Sequence, residues 1–108
     1  MFDPHHNARD NYYLASDTFG GAWRGLDKSV RIVNWNGGHR RQSLSFFAGR
    51  GHRQVIGGYY DNPDVGGHLG QWLDVARGLP GVGGAMYTTW WNDYSNLERF
   101  IQAFHSHQ

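Results

Sequence analysis

The sequence predicts an α/β fold of parallel strands joined by helical crossovers, and three observations carry that expectation. From Lys28 onward, an apolar β-rich run, a turn signal and a segment of helical period recur three times. The helical segments are about ten residues long and the connections short, which is the pattern of βα units with parallel strands and right-handed crossovers. Glycine is abundant, at 16 of 108 residues, and falls inside the strand runs as well as in turns.

Each unit is read in the same way. In the first, Val30-Arg31-Ile32-Val33-Asn34-Trp35 predicts a strand and Asn36-Gly37-Gly38 a turn, while Leu44, Phe47 and Ala48 form a helix stripe ended by Gly51. In the second, the strand is Gln54-Val55-Ile56-Gly57-Gly58-Tyr59-Tyr60. After Asp61-Asn62-Pro63, residues Leu69, Trp72, Leu73 and Ala76 follow i, i+3, i+4, i+7, with Gly78 expected just past the helix end. In the third, Val82 to Trp90 is a strand and Ser95-Asn96-Leu97-Glu98 has capping-box spacing. Leu97, Phe100, Ile101 and Phe104 make one apolar helix face. Residues 1–27, rich in Asp, Asn, His and Tyr, predict a loop followed by a short helix. The whole chain, 1–108, reads as a single domain.

Composition narrows the function classes. Ten Lys and Arg against nine Asp and Glu give a formal charge of +1, whereas a polyanion-binding surface needs clustered surplus cations, so nucleic acid is not an expected partner. No cysteine means no disulfide, zinc-thiolate site or thiol nucleophile, and leaves the compartment unread. No apolar run approaches the ~20 residues of a membrane helix, and the first residues do not resemble a secretory signal, so a soluble protein without a membrane partner is expected. Gly37-Gly38-His39 and Gly81-Val82-Gly83-Gly84 match neither phosphate-loop pattern, which excludes a nucleotide site of those types. Arg40-Arg41 and the pair Arg50 and Arg53 read as a solvated face.

Parallel α/β sheets form ligand sites at the carboxyl ends of their strands. Those ends carry Asn34, Trp35 and Asn36; Tyr59, Tyr60 and Asp61; and Thr88, Thr89, Trp90, Trp91, Asn92 and Asp93. Aromatic faces beside amides and carboxylates suit a sugar, whose C–H faces stack on indole and whose hydroxyls need donors and acceptors. The alternative is that the same aromatics fill a core or an interface.

In this order the strand ends resemble the last three βα units of the β-hexosaminidases, family 20 of the glycoside hydrolases. The resemblance rests on a strand ending in Trp35, one ending in Tyr59-Tyr60-Asp61, and one ending in Thr89-Trp90-Trp91-Asn92 before a final helix. It implies half of a (β/α)8 barrel, with Met1-Phe2-Asp3-Pro4 as the end of a preceding strand. A complete barrel needs roughly 250 residues, so completion by association with further copies is expected. The resemblance also places Trp35, Tyr59, Asp61 and Trp90 at an amino sugar, Tyr59 toward the acetamido group and Asp61 toward hydroxyls. Two departures bear on activity. The family's catalytic Asp-Glu pair belongs to a strand this chain does not contain, and Asn92 stands where a Glu commonly follows the last Trp. Glu98 is the chain's single Glu. Glycoside hydrolysis needs a proton donor and a second carboxylate or a substrate acetamide set a few ångströms apart. Sugar binding without hydrolysis by the family mechanism is therefore expected.

Two alternatives belong to other classes. Asp3, His5, His6, Asn7 and Asp10 cluster near the N-terminus. No cofactor is expected, but Asp3, His5 and His6 are candidate ligands for a divalent metal, whose bound water would be a nucleophile near neutral pH. In that reading Asp3, His6 and Asp61 are candidate catalytic residues of a hydrolase assembled at an oligomer interface. Otherwise, His6 and Asn7 simply order a loop. The third reading is an assembly module with no small-molecule activity. The expected partners are further copies of the chain and, in the first reading, a carbohydrate.

Overall fold

A computed structural model describes residues 21–58, 61 and 63–107. Three strands, β1 (Ile32–Asn34), β2 (Gln54–Ile56) and β3 (Val82–Ala85), form one parallel sheet in the order β1-β2-β3. Each is followed by a helix: α1 (Arg40–Gly49), α2 (Val65–Ala76) and α3 (Leu97–Ser106). The α/β class and the three βα units are as the sequence predicts. The described strands are shorter than the apolar runs, because only the central residues of each run pair.

The helices share one face of the sheet. Leu44 of α1, Ile56 of β2 and Trp72 of α2 form one buried cluster, while Val65 and Leu69 of α2 and Phe100 of α3 form another. Leu73 and Ala85 pack against both. On that same face the middle strand carries a buried amide. Gln54 is 1% exposed and Asn34, beside it on β1, is 4% exposed. The Asn34 Nδ2 donates to Gln54 Oε1 at 2.5 Å, and Gln54 Nε2 donates to the Leu44 carbonyl of α1 at 2.8 Å. A buried amide is tolerated only when paired, so this chain ties two strands and a helix into one arrangement.

Glycine acts at two places in the sheet. At Gly57 a Cβ would stand 2.6 Å from Val33 Cγ1, so the backbone there approaches β1 closer than any other residue allows, and its N–H donates to the Asn34 carbonyl at 2.6 Å. Along β3 the register slips: Gln54 faces Val82, but Ile56 faces Ala85. The extra residue falls at Gly83-Gly84 and makes a bulge.

Several local expectations are corrected. Gly78 does follow the end of α2, just past the Arg77 cap, but without a left-handed backbone; the left-handed residue is Gly81, three positions on, with φ 82°. The capping box of α3 does not form, since Asn96 is its N-cap without a side-chain bond and Ser95 N–H donates to Asp93 instead. On α3 only Phe100 is buried; Leu97 and Ile101 stay exposed. Arg40 and Arg50 are not solvated. They are half-buried, with Arg40 lying over the Trp72 ring and Arg50 over Phe46, and Arg50 also donates to the Trp23 carbonyl. Trp23, in a 3-10 turn over Ala22–Gly25, meets Phe46 edge-on and so closes the flank of α1.

The opposite face of the sheet presents Val33 and Met86, each 46% exposed, with Val55 half-buried between the strand edges. The described residues thus form two layers, a sheet with helices on one side.

Replacing Gln54 with Met keeps the volume but strands the Asn34 amide and the Leu44 carbonyl in the core. We expect Gln54→Met to lower unfolding free energy by about 3 kcal/mol in urea denaturation, the sum of two unpaired buried groups. A loss below about 0.5 kcal/mol would show that the network carries no weight.

Candidate functional site

At the carboxyl edge of the sheet, three loops lead into helix starts. After β1, the Asn36 side chain accepts from Gly38 N–H at 3.0 Å and caps a 3-10 turn, Gly37–His39, that runs into α1. Asn34, which the sequence placed at this edge, points into the core instead, as its pairing with Gln54 requires. Trp35 remains at the edge and is exposed.

The first turns of α1 and α2 meet. The Arg40 guanidinium carbon is 5.7 Å from the Trp72 ring centroid, and a Cβ on Gly37 would fall 2.9 Å from its Nη2 and 3.8 Å from His68 Cε1. Gly37 therefore leaves the room in which Arg40 lies flat beside His68. Asp64 caps α2 by accepting from Gly67 N–H at 3.1 Å. Burial holds the His68 pKa below its ordinary value and the Arg40 charge adds to this, while Asp64 opposes it. Sequence patterning could not reveal this group, since Arg40 and His68 come from different units and only the crossing of α1 and α2 joins them.

The loop after β3 is organised by Asp61. Its carboxylate accepts from the Thr89 hydroxyl, from Trp90 N–H at 2.6 Å and from Trp91 N–H at 3.2 Å. The Thr89 oxygen in turn accepts from Asp93 N–H at 3.0 Å, and Tyr87 O–H donates to the Asp93 carbonyl at 3.0 Å. Asn92 turns the chain with φ 55°, a left-handed value that Asn tolerates. The Thr88 hydroxyl donates to the Gly58 carbonyl, so the ends of β2 and β3 are bound together twice. Two carboxylates shape the electrostatics of this loop. Asp93 is held below the usual carboxylate range by the Ser95 backbone N–H, and the Tyr87 phenol is raised by desolvation and then by the charges of Asp93 and Asp61.

This clamp fixes a backbone whose side chains face water: Trp90 is 65% exposed and Trp91 77%. Asp61 is thus tied to the backbone of Trp90 and Trp91, with which the sequence groups it, and both of its oxygens are engaged by the loop. Trp35 is farther away. β2 lies between β1 and β3, so those strand ends are about 10 Å apart. Tyr59, Tyr60 and the N-terminal candidates Asp3, His5 and His6 lie outside the described residues. Among the described residues, no group of three His, Cys, Asp or Glu side chains is placed to hold a metal ion. The arrangement is suited to presenting flat apolar surface, with amide and carboxylate neighbours, on a loop of fixed shape.

Two outcomes are expected. Asp61→Ala removes a charged acceptor shared by three donors, so amide exchange at Trp90 and Trp91 should accelerate about tenfold or more, by NMR, with the helices unaffected. Unchanged exchange would show that the clamp does not hold the loop. For His68, the fold prefers the neutral imidazole, so below its ordinary pKa of 6.5 the unfolded chain binds more protons than the folded one. Stability should therefore fall as pH drops through 6.5 and below, with a shallower fall in His68→Gln, measured by urea unfolding at each pH.

No protein-family model, curated protein or solved structure matches this chain.

Proposed function

We propose that the chain is a carbohydrate-binding α/β module that binds its ligand without hydrolysing it and works as a homo-oligomer. The observation that carries the reading is the pair of exposed indoles, Trp90 and Trp91, on a loop whose backbone is held by Asp61. A rigid aromatic platform stacks on the C–H face of a pyranose without first having to be ordered, which is the main entropic cost such a contact meets. Asn92, exposed beside the indoles, supplies both a donor and an acceptor for hydroxyls. The resemblance of the strand ends to the β-hexosaminidases makes an N-acetylated amino sugar the first ligand to try.

Self-association is supported by the sheet. Parallel strands normally have both faces covered, and this sheet leaves Val33 and Met86 half open on one side. In this reading the chain is half of a (β/α)8 barrel, and a second copy closes over the carboxyl half of that face, around Val33 and Met86, leaving its amino edge open. The metal-dependent alternative rests on Asp3, His5 and His6, which lie outside the described residues.

Titration with N-acetylglucosamine oligosaccharides should quench tryptophan fluorescence saturably, unaffected by a chelator. Trp90→Ala and Trp91→Ala should each weaken binding about five- to tenfold. Light scattering should give a mass of two chains or more. A folded monomer would overturn the association, absence of saturable quenching would overturn the sugar reading, and loss of binding with a chelator would favour the metal site.

A further inference from the structure

The open face of the sheet carries a second feature at its amino edge, away from the indoles. Gln54 and Ile56 point toward the helices, so strand alternation sends Arg53 and Val55 to the other face. On β1, Asn34 points inward, which sends Arg31 and Val33 outward with them. The register pairs Ile32 with Gln54, and Ile32 N–H donates to the Arg53 carbonyl at 2.9 Å, so Arg31 and Arg53 are direct neighbours across the two strands. Parallel strands lie about 4.8 Å apart, close enough for both guanidiniums to reach one small anion.

Like charges placed side by side on a sheet repel, and neither arginine has a carboxylate partner among the described residues. Beside them the surface sinks. Arg31, Arg53, Val55, Gly81 and Gly83 line a depression of about 380 Å3, within the range of small-molecule sites. Two glycines border it. Gly81 is held at φ 82°, where a Cβ would stand 3.0 Å from the His52 carbonyl, while a Cβ on Gly83 would meet nothing within 4 Å.

We propose that this depression binds a small phosphate monoester with an apolar body. The phosphate oxygens sit in the fork of Arg31 and Arg53, and the body lies on Val55 against the glycine floor. The charge complementarity is specific to an oxyanion, since two unpaired guanidiniums offer only donors. An apolar body adds affinity because Val55 is half-buried and the floor has no side chains in the way.

The test uses phenyl phosphate, with inorganic phosphate for comparison, titrated into the full chain and followed by amide chemical shifts. Phenyl phosphate should bind saturably and several-fold more tightly than inorganic phosphate, with shifts at residues 31, 53, 55, 81 and 83. Arg31→Gln with Arg53→Gln should weaken it at least tenfold. Gly83→Leu, whose side chain enters open space and so leaves folding intact, should block it. Trp90→Ala should leave it unchanged, which separates this site from the sugar platform. Absence of saturation, or undiminished binding in the double arginine variant, would overturn the proposal. It would equally be overturned if the double variant lost thermal stability and the parent protein bound no phosphate, since the arginines would then serve the fold and not a ligand.

Discussion

Everything in this fold is positioned by a buried amide chain. Gln54 sits at the centre of the middle strand with no access to water, and its two polar atoms are spoken for by Asn34 of β1 and the Leu44 carbonyl of α1. A purely apolar contact would tolerate a shift of one strand along its neighbour with modest loss. Here such a shift would turn Asn34 outward and leave Gln54 unpaired in a low-dielectric interior. The amide chain therefore sets the register of β1 against β2. Register in turn decides which residues reach the helix side, which reach the open side, and which arrive at the carboxyl edge.

The two-layer arrangement follows from where apolar volume is available. Trp72 is the largest fully buried side chain, and it lies between α1 and β2 with Arg40 stacked on its ring. Along α3 the burial is uneven, because only Phe100 reaches the cluster formed by Val65 and Leu69. Leu97 and Ile101 remain at the surface beside Tyr94. The open sheet face repeats this imbalance, with Met86 and Val33 lying over Gly57. Exposed apolar surface on the sheet and on α3 is a common mark of an interaction surface, and it is the physical ground on which self-association is proposed.

At the carboxyl edge, a charged acceptor does the work that regular secondary structure does elsewhere. The loop over residues 89–93 has no strand or helix to satisfy its backbone, and Asp61 receives two of its N–H groups and a hydroxyl. Those bonds hold the backbone from which the exposed side chains of Trp90 and Trp91 project. The same residue that the strand-end pattern singles out as a ligand contact is thus the one that shapes the loop. In the proposed sugar-binding reading, its effect on a ligand runs through the two tryptophans at least as much as through its own oxygens.

The sequence by itself determined the class and the order of elements. Periodicity of Leu44 and Phe47, and of Leu69 and Trp72, marks faces that do become buried, because helix period and apolar burial are local properties of a chain. It also grouped Asp61 with Trp90 and Trp91, since strand ends in parallel sheets converge. Tertiary structure alone decided the rest. Asn34 reads as an edge residue until Gln54 is placed beside it, and Arg40 reads as solvated until the crossing of α2 brings Trp72 beneath it. Gly78 marks the end of α2 as its position suggests, whereas the Ser95–Glu98 spacing carries a helix-start signal that the fold does not use, because the Ser95 N–H is taken by the Asp93 carboxylate. The pairing of Arg31 with Arg53 is a matter of register between strands 22 residues apart, which is set by a buried hydrogen bond and leaves no mark in local composition.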